Sequence, residues 1–132
     1  GRHEITVEHR DELPPIPINV ELISWAFENL FKNAIDAMDR QTGSMRIRLG
    51  FVPEGRAVQI TFQDDGRGIE PENIKRVFDP GFSTKKRGWG LGLAFVKRIV
   101  EEYHKGKISV VQSAPGAGTT FEVILPLGKG AK

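Results

Sequence analysis

Two asparagines and an aspartate lie at helical spacing in a segment that is otherwise rich in apolar residues. Asn29, Asn33 and Asp36 fall within about 60° of one another on a helix predicted from its N-cap, Asn19, to Met38. Amide and carboxylate oxygens are hard ligands that Mg²⁺ accepts, one or two at a time, with water and phosphate as the others. Because apolar residues cover about half of this helix, its polar stripe should border a groove; the alternative is that the stripe simply faces water.

A carboxylate ends a predicted strand at Asp64, and a glycine pair, Gly66 and Gly68, follows it. An ionised aspartate accepts hydrogen bonds and donates none, so it suits an amino group on a base and not a phosphate. The glycines leave the adjoining backbone with little steric cover. Taken alone, the motif is also compatible with an ordinary turn.

A third signal is a run of glycines that leads into a second long helix, predicted over residues 91–103. Free backbone N–H groups at a helix N-terminus form an anion site, and glycine residues there allow an anion to approach the backbone closely. The spacing matches neither a Walker A loop nor a dinucleotide-binding fingerprint, and a flexible glycine linker is the alternative. The residues are Ser83, Thr84, Lys85, Lys86, Arg87, Gly88, Trp89, Gly90, Leu91, Gly92 and Leu93.

Five strands and three helices are predicted to position these groups. The strands lie at 4–8 (half-buried), 45–51, 58–62, 108–111 and 121–125, with a hairpin between the second and third. Residues 42–44 break the first helix, Pro71 opens a short helix that ends near Phe78, and the second long helix stops before Gly106. Three prolines make residues 11–17 an extended connector, and residues 128–132 should form a frayed tail.

The composition is that of one soluble globular domain over residues 1–132. Because the chain begins abruptly in strand-like sequence, we expect it to be a piece of a longer protein. Lys and Arg number 19 and Asp and Glu 17, so the net charge of +2 leaves no basic stripe for nucleic acid. The absence of cysteine excludes disulfides and thiol catalysis. No apolar run is long enough to span a membrane, so we expect no membrane contact by this domain. We also expect the fragment to be monomeric.

In this order the motifs resemble the ATP-binding catalytic domain of bacterial sensor histidine kinases, in the GHKL superfamily shared with DNA gyrase, a class of heat-shock chaperones and the mismatch-repair ATPases. Residues 28–38 (ENLFKNAIDAM) resemble the N box, and residues 64–69 (DDGRGI) the first glycine box. Residues 77–85 (VFDPGFSTK) resemble the F box, 88–93 (GWGLGL) the second glycine box, and 116–126 (GAGTTFEVILP) the closing strand. Five motifs in order make the resemblance specific.

The resemblance implies an α+β two-layer sandwich, the Bergerat-type ATP-binding fold, with a mixed five-stranded sheet packed on three helices. It implies Asn33 as the direct Mg²⁺ ligand, with Asn29 as a support for the phosphates or for the water on the metal. It also implies Asp64 as the acceptor for the adenine amine, and Lys85 in a lid over the triphosphate. The implied nucleotide-binding set is Asn29, Asn33, Asp36, Ala37, Asp64, Gly66, Gly68, Ile69, Ser83, Thr84, Lys85, Arg87, Gly88, Trp89, Gly90, Leu91, Gly92, Leu93 and Thr119.

The implied activity is transfer of the γ-phosphoryl group of Mg-ATP to a histidine on the dimerisation and phosphoacceptor helices of the same kinase. A response regulator would be the partner of the full-length protein, and the domain would work in the cytoplasm even where the parent is membrane-anchored. The water-splitting ATPases of the superfamily place a glutamate one turn before the metal asparagine. Here that residue is Asn29, which cannot take a proton at neutral pH, so a kinase is favoured.

Three other interpretations stay open. Trp89 stands where the family usually has threonine or serine, so the chain could be a nucleotide-binding module without kinase activity. Labelling of serine would indicate a kinase of the anti-sigma-factor type, and steady phosphate release would indicate a stand-alone ATPase. The acceptor histidine is missing, and we expect His3, His9 and His104 to lie on the surface.

Overall fold

The computed structural model describes residues 2–38, 42–82 and 92–128. Five strands form one sheet in the order β1-β2-β3-β5-β4. β1 pairs in parallel with β2, and every other neighbouring pair is antiparallel. The bounds are Arg2–His9 for β1, Thr42–Phe51 for β2, Ala57–Asp64 for β3, Lys107–Ser113 for β4 and Thr119–Pro126 for β5.

Two helices and a short 3₁₀ helix accompany the sheet. Helix α1 spans Val20–Ala37, and the Asn19 side chain caps it by accepting a 3.0 Å hydrogen bond from the Leu22 N–H. The 3₁₀ helix spans Pro71–Arg76. Helix α2 spans Gly92–Arg98 and continues as a π-helical turn over Ile99–Tyr103. None of the described helices is long and apolar enough to cross a bilayer.

The core lies between one face of the sheet and the helices. Alternate residues of β3 and β5 point into it, while the residues between them face the other side. The predicted class, an α+β mixed five-stranded sheet with three helices, is confirmed. Among the described residues, the largest of the fully buried side chains are Leu30, Met38, Met45, Val58, Val96, Val100, Val123 and Leu125.

The predicted burial of one strand and two predicted boundaries are wrong. β1 is not half-buried, because it is the edge strand and Ile5 and Val7 remain 51% and 54% exposed. β2 begins at Thr42, where a break was predicted, because its parallel pairing with β1 extends to that residue. The helix that begins at Pro71 is 3₁₀ and ends at Arg76, two residues before the predicted end.

His104 is buried, so its predicted surface position is wrong, whereas His9 is exposed as expected. The Nε2 atom of His104 accepts a 2.9 Å hydrogen bond from the Asn19 N–H, and the Nδ1 atom of His104 lies 2.8 Å from the Ile99 carbonyl oxygen. Since Nε2 accepts, the ring proton must sit on Nδ1 and be donated to Ile99. The imidazole therefore ties the end of the π-helical turn to the start of α1.

Candidate functional site

Asp64, the last residue of β3, is a buried carboxylate. It is one of three buried polar residues in the part of the chain that the structure describes, with 8% exposure, and its Oδ1 accepts a 2.8 Å hydrogen bond from the Gly66 N–H. Desolvation by burial raises the pKa of Asp64 above its ordinary 3.8, although hydrogen bonds from the Gly66 and Thr119 backbones oppose that rise. A carboxylate has about four acceptor positions, so Asp64 retains capacity for a ligand.

The loop after β3 is fastened to the turn between β4 and β5. The Gly116 N–H donates to the Arg67 carbonyl at 2.8 Å, and the Ile69 N–H donates to Ser113 Oγ at 2.9 Å. Gly68 has φ +76°, and a Cβ there would lie 2.0 Å from the Ala114 carbonyl oxygen. Only glycine adopts this positive φ without strain and has no Cβ to collide with the carbonyl. The close contact between the two loops therefore requires glycine at position 68.

The same loop is fastened to the C-terminal end of α1. The Arg67 N–H donates to the Ala37 carbonyl at 3.0 Å, and Arg67 Nη1 donates to the Asp36 carbonyl at 3.4 Å. Gly66 lies directly against Ala37, where a Cβ would come within 2.7 Å of the helix backbone. The structure thus brings the predicted residues Asp36, Ala37 and Asp64 to one end of the polar stripe.

The other end of that stripe faces the start of α2. Asn29 Nδ2 donates to the Trp25 carbonyl at 2.9 Å, which directs Oδ1 away from that carbonyl. A Cβ on Gly92 would lie 3.1 Å from Oδ1, so the two helices approach closely here. Asn33, half-buried, lies one turn further along α1. From Asn29 to Ala37 the helix rises about 12 Å, so the stripe runs from the start of α2 to the loop after Asp64.

Thr119 completes the sheet side of the site. It is 6% exposed and pairs in register with Asp64 across β3 and β5. Its Oγ1 lies 2.9 Å from Ser113 Oγ. Ser113 contacts three elements of the site, yet sequence reasoning missed it, because a single serine in a strand carries no signal of its own. Leu93 packs on the core at the start of α2.

Eight predicted site residues lie outside the described part of the chain: Ser83, Thr84, Lys85, Arg87, Gly88, Trp89, Gly90 and Leu91. The described residues contain no group of three His, Asp or Glu side chains that could hold a metal ion without further ligands. A metal bound beside Asn33 would therefore draw ligands from elsewhere, as Mg²⁺ does when phosphate oxygens and water complete its shell.

A family model now identifies this arrangement. The model described as "Histidine kinase-, DNA gyrase B-, and HSP90-like ATPase" matches residues 18–129, which contain the buried aspartate, the polar stripe and both loops. The chain belongs to this family. An ATPase family implies ATP as the nucleotide, and the predicted resemblance to the catalytic domain of sensor histidine kinases is confirmed.

The chain is also similar to parts of curated histidine kinases. It is 35% identical to sporulation kinase E of Bacillus subtilis, over 92% of this chain and 16% of that protein. It is 38% identical to the signal transduction histidine-protein kinase AtoS of Escherichia coli, over 96% of this chain and 20% of that protein. The chain thus spans less than a quarter of these relatives.

Solved structures show the same domain. The catalytic domain of histidine kinase ThkA superposes with a TM-score of 0.82 at 27% identity, covering 95% of this chain and 80% of that one. Full-length ShkA, solved in complex with AMPPNP, superposes with a TM-score of 0.83 at 26% identity, covering 98% of this chain and 27% of that one. The chain is therefore a histidine-kinase catalytic ATPase domain.

Proposed function

We propose that this domain binds Mg-ATP and supplies its γ-phosphoryl group for autophosphorylation of a histidine on a separate dimerisation and phosphoacceptor domain, in two-component signalling. The observation that carries the proposal is the buried carboxylate of Asp64. It sits where the β3 loop, the β4–β5 turn and the end of α1 are joined by hydrogen bonds. That ShkA was solved with AMPPNP supports an adenine nucleotide as the ligand of this chain too.

The nucleotide would lie along the polar stripe of α1, in a cleft that runs from the start of α2 to the loop after Asp64. The purine would lie at the Asp64 end of this cleft. A carboxylate that already accepts two backbone N–H groups is held rigidly, so its remaining lone pairs can take the exocyclic amine of adenine without reorganising. Thr119 borders this position from β5, and Ile69 packs beside it against the core. The backbone of Gly66 and Gly68 would close over the base.

The phosphates would lie toward Asn29 and the start of α2. Asn29 Oδ1 faces this region because its Nδ2 is already bonded to Trp25. The amide oxygen of Asn33 fits a hard cation such as Mg²⁺, which when bound neutralises charge on the phosphates. Lys85 and the N–H groups of residues 90–93 keep the phosphate roles that the family resemblance gives them.

A kinase is favoured over a hydrolase by the residue one turn before Asn33. Asn29 cannot accept a proton at neutral pH, and its amide is engaged by the Trp25 carbonyl. Glu28, its neighbour, is exposed on another face of α1. Water would therefore lack a base one turn before Asn33, and transfer to a histidine of another domain becomes the preferred reaction. The partners would be the acceptor helices and, through the full-length protein, a response regulator.

Nucleotide binding is tested first, by titrating the protein with ADP and Mg²⁺ and following amide chemical shifts. We expect the largest shifts at residues 64–69 and 92–93, which border the two ends of the cleft. The hairpin turn around Gly55 lies away from it and serves as the internal control. Shifts confined to other surfaces would contradict the proposed site.

Phosphoryl transfer is tested by incubating the domain with γ-labelled ATP, alone and with an isolated acceptor domain from the same parent protein. We expect acid-labile label on the acceptor histidine, and neither self-labelling nor steady phosphate release by the domain alone. Label on serine would instead indicate a kinase of the anti-sigma-factor type. Binding without transfer to the cognate acceptor would indicate a nucleotide-binding module.

A further inference from the structure

Ser113, at the end of β4, contacts three parts of the purine end of the cleft without being an expected ligand. We propose that Ser113 is a specificity-determining residue: it holds the Thr119 hydroxyl as a hydrogen-bond acceptor, and so favours purines with an amino group at C6 over purines with a keto group. This inference rests on the nucleotide binding proposed above, and it assigns to Ser113 a role that acts through Thr119.

The polarity of the hydroxyl groups follows from their neighbours. Ser113 Oγ accepts from the Ile69 N–H at 2.9 Å, because a backbone N–H can only donate. The Gly118 carbonyl oxygen, 3.2 Å from Ser113 Oγ, can only accept. The single proton of Ser113 is thus directed to Gly118, and its second lone pair is left for Thr119.

The third contact then fixes Thr119. Its Oγ1 lies 2.9 Å from Ser113 Oγ, and either atom could in principle be the donor. With the serine proton committed to Gly118, the three contacts are satisfied together when Thr119 donates to Ser113. The Thr119 hydroxyl proton is then used inside the protein, and Oγ1 turns only lone pairs toward its remaining neighbours.

Thr119 and Asp64 consequently offer the same kind of group. They are buried to 6% and 8% exposure and pair in register on the helix side of the sheet. The ionised carboxylate has no proton to donate, and Thr119 has none left. At this end of the cleft, Asp64 and Thr119 therefore both present only hydrogen-bond acceptors.

Two neighbouring hydrogen-bond acceptors distinguish the two common purines by the group at C6. Adenine carries an amino group there, with two N–H donors, whereas guanine and hypoxanthine carry a keto oxygen. A keto oxygen facing lone pairs would leave buried polar groups unpaired, which sites built from hydrogen-bonding groups reject strongly. If Ser113 were absent, the Thr119 hydroxyl would be free to rotate and donate to the keto group.

The test compares ADP with inosine diphosphate, in which a keto group replaces the C6 amino group and N1 carries a proton. Dissociation constants are measured by calorimetry for the parent chain, Ser113→Ala and Ser113→Thr. We expect Ser113→Ala to reduce the preference for ADP by about tenfold, as for one hydrogen bond, and Ser113→Thr to retain it. Ser109→Ala, on the same strand but the opposite face, is the matched control and should leave the preference unchanged.

The ratio of the dissociation constants for ADP and inosine diphosphate separates a role in specificity from a merely structural role. A general loss of packing would weaken the binding of both nucleotides alike. An unchanged ratio in Ser113→Ala overturns the inference even when ADP binding is weaker. Should Ser113→Ala not fold, Thr119→Val removes the acceptor with Ser113 in place, and the same loss of preference is expected; an unchanged ratio there overturns the inference too. If the parent chain binds neither nucleotide, it is the proposed function that fails.

Discussion

Burial at the end of β3 raises the pKa of Asp64 above its ordinary 3.8, and this gives the domain two opposite responses to pH. A group with a raised pKa in the folded state binds more protons folded than unfolded. Its contribution to stability is therefore present below pH 3.8 and is lost as pH rises through the raised pKa. An adenine amine requires the opposite state, because it binds best to the ionised carboxylate.

We accordingly expect the free energy of unfolding of the nucleotide-free chain, relative to Asp64→Ala, to fall as pH rises above 3.8 and then level off. ADP affinity should rise over the same pH range, and at neutral pH Asp64→Ala should weaken it by about 1.5–3 kcal/mol. Urea unfolding and calorimetry at matched pH values measure the two quantities. A stability difference that rises with pH would refute the assignment of cause.

Gly68 and Gly55 offer a matched pair at the same scale. Both have positive φ, +76° and +75°, but a Cβ at Gly68 would meet the Ala114 carbonyl at 2.0 Å, whereas nothing lies within 4 Å of one at Gly55. Alanine at either position bears the left-handed backbone cost of about 1 kcal/mol. We expect Gly55→Ala to lose little more than this, and Gly68→Ala to lose clearly more and to bind ADP poorly.

Chemical denaturation of the two variants, followed by ADP titration, checks this prediction. Equal losses of stability would show that the contact between the two loops yields readily, and would remove the steric reason for glycine at position 68.

At the scale of the elements, contacts between α1 and α2 fix the relative position of these two helices, which border the cleft. The helices run antiparallel, with Asn29 beside Gly92 at one end and the Asn19–His104 hydrogen bond at the other. Trp25 and Phe95 make an edge-to-face contact between them, with ring centroids 6.0 Å apart. Any shift of one helix along the other would strain both ends.

We expect His104→Ala to destabilise the fold by about 1–3 kcal/mol, because the Asn19 N–H and the Ile99 carbonyl both lose their buried partner. His104→Gln, which keeps a donor and an acceptor, should restore part of the loss. His9→Ala, at an exposed position, is the control and should change the unfolding free energy by no more than about 0.5 kcal/mol. If His104→Ala unfolds like the control, the tie has no energetic weight.

How far the sequence predicts these elements depends on how local their causes are. The bounds of α1 were predicted within one residue, since an apolar stripe and an Asn19 cap lie within the segment itself. The exposure of β1, the early start of β2 and the buried His104 depend on contacts with distant segments, 85 residues away for His104. Periodicity cannot reveal such contacts. The π-helical turn likewise has no periodic signature that distinguishes it from α2.

The candidate site divides in the same way. Asp64, Asn29 and Asn33 could be singled out because each is a residue type out of place in its element. Ser113 could not, because its importance comes from three contacts that only the folded chain creates.

For the molecule as a whole, the proposed ligand would bridge parts that no single element supplies: a β3 loop, a β4–β5 turn, α1 and the start of α2. A ligand that needs all of them binds the folded chain alone, so it should stabilise the folded state against global unfolding. At a free ADP concentration of about 100 times its dissociation constant, with Mg²⁺, we expect a gain of about 2.7 kcal/mol.

Thermal unfolding with and without a chelator measures that gain and its dependence on the metal. Asn33→Ala with Mg²⁺ should behave as the parent chain does with chelator, if the amide oxygen of Asn33 is the ligand. A chelator-sensitive gain that persists in Asn33→Ala would place the metal elsewhere.

Trp25 gives this domain a built-in optical probe. Its carbonyl holds the Asn29 side chain, and its ring meets Phe95 of α2, so the indole senses the seam where the phosphates would enter. The chain has two tryptophans, and Trp89→Phe would leave Trp25 as the sole tryptophan, which can be excited selectively. Occupancy of the cleft could then be followed in real time by fluorescence, without attaching a dye.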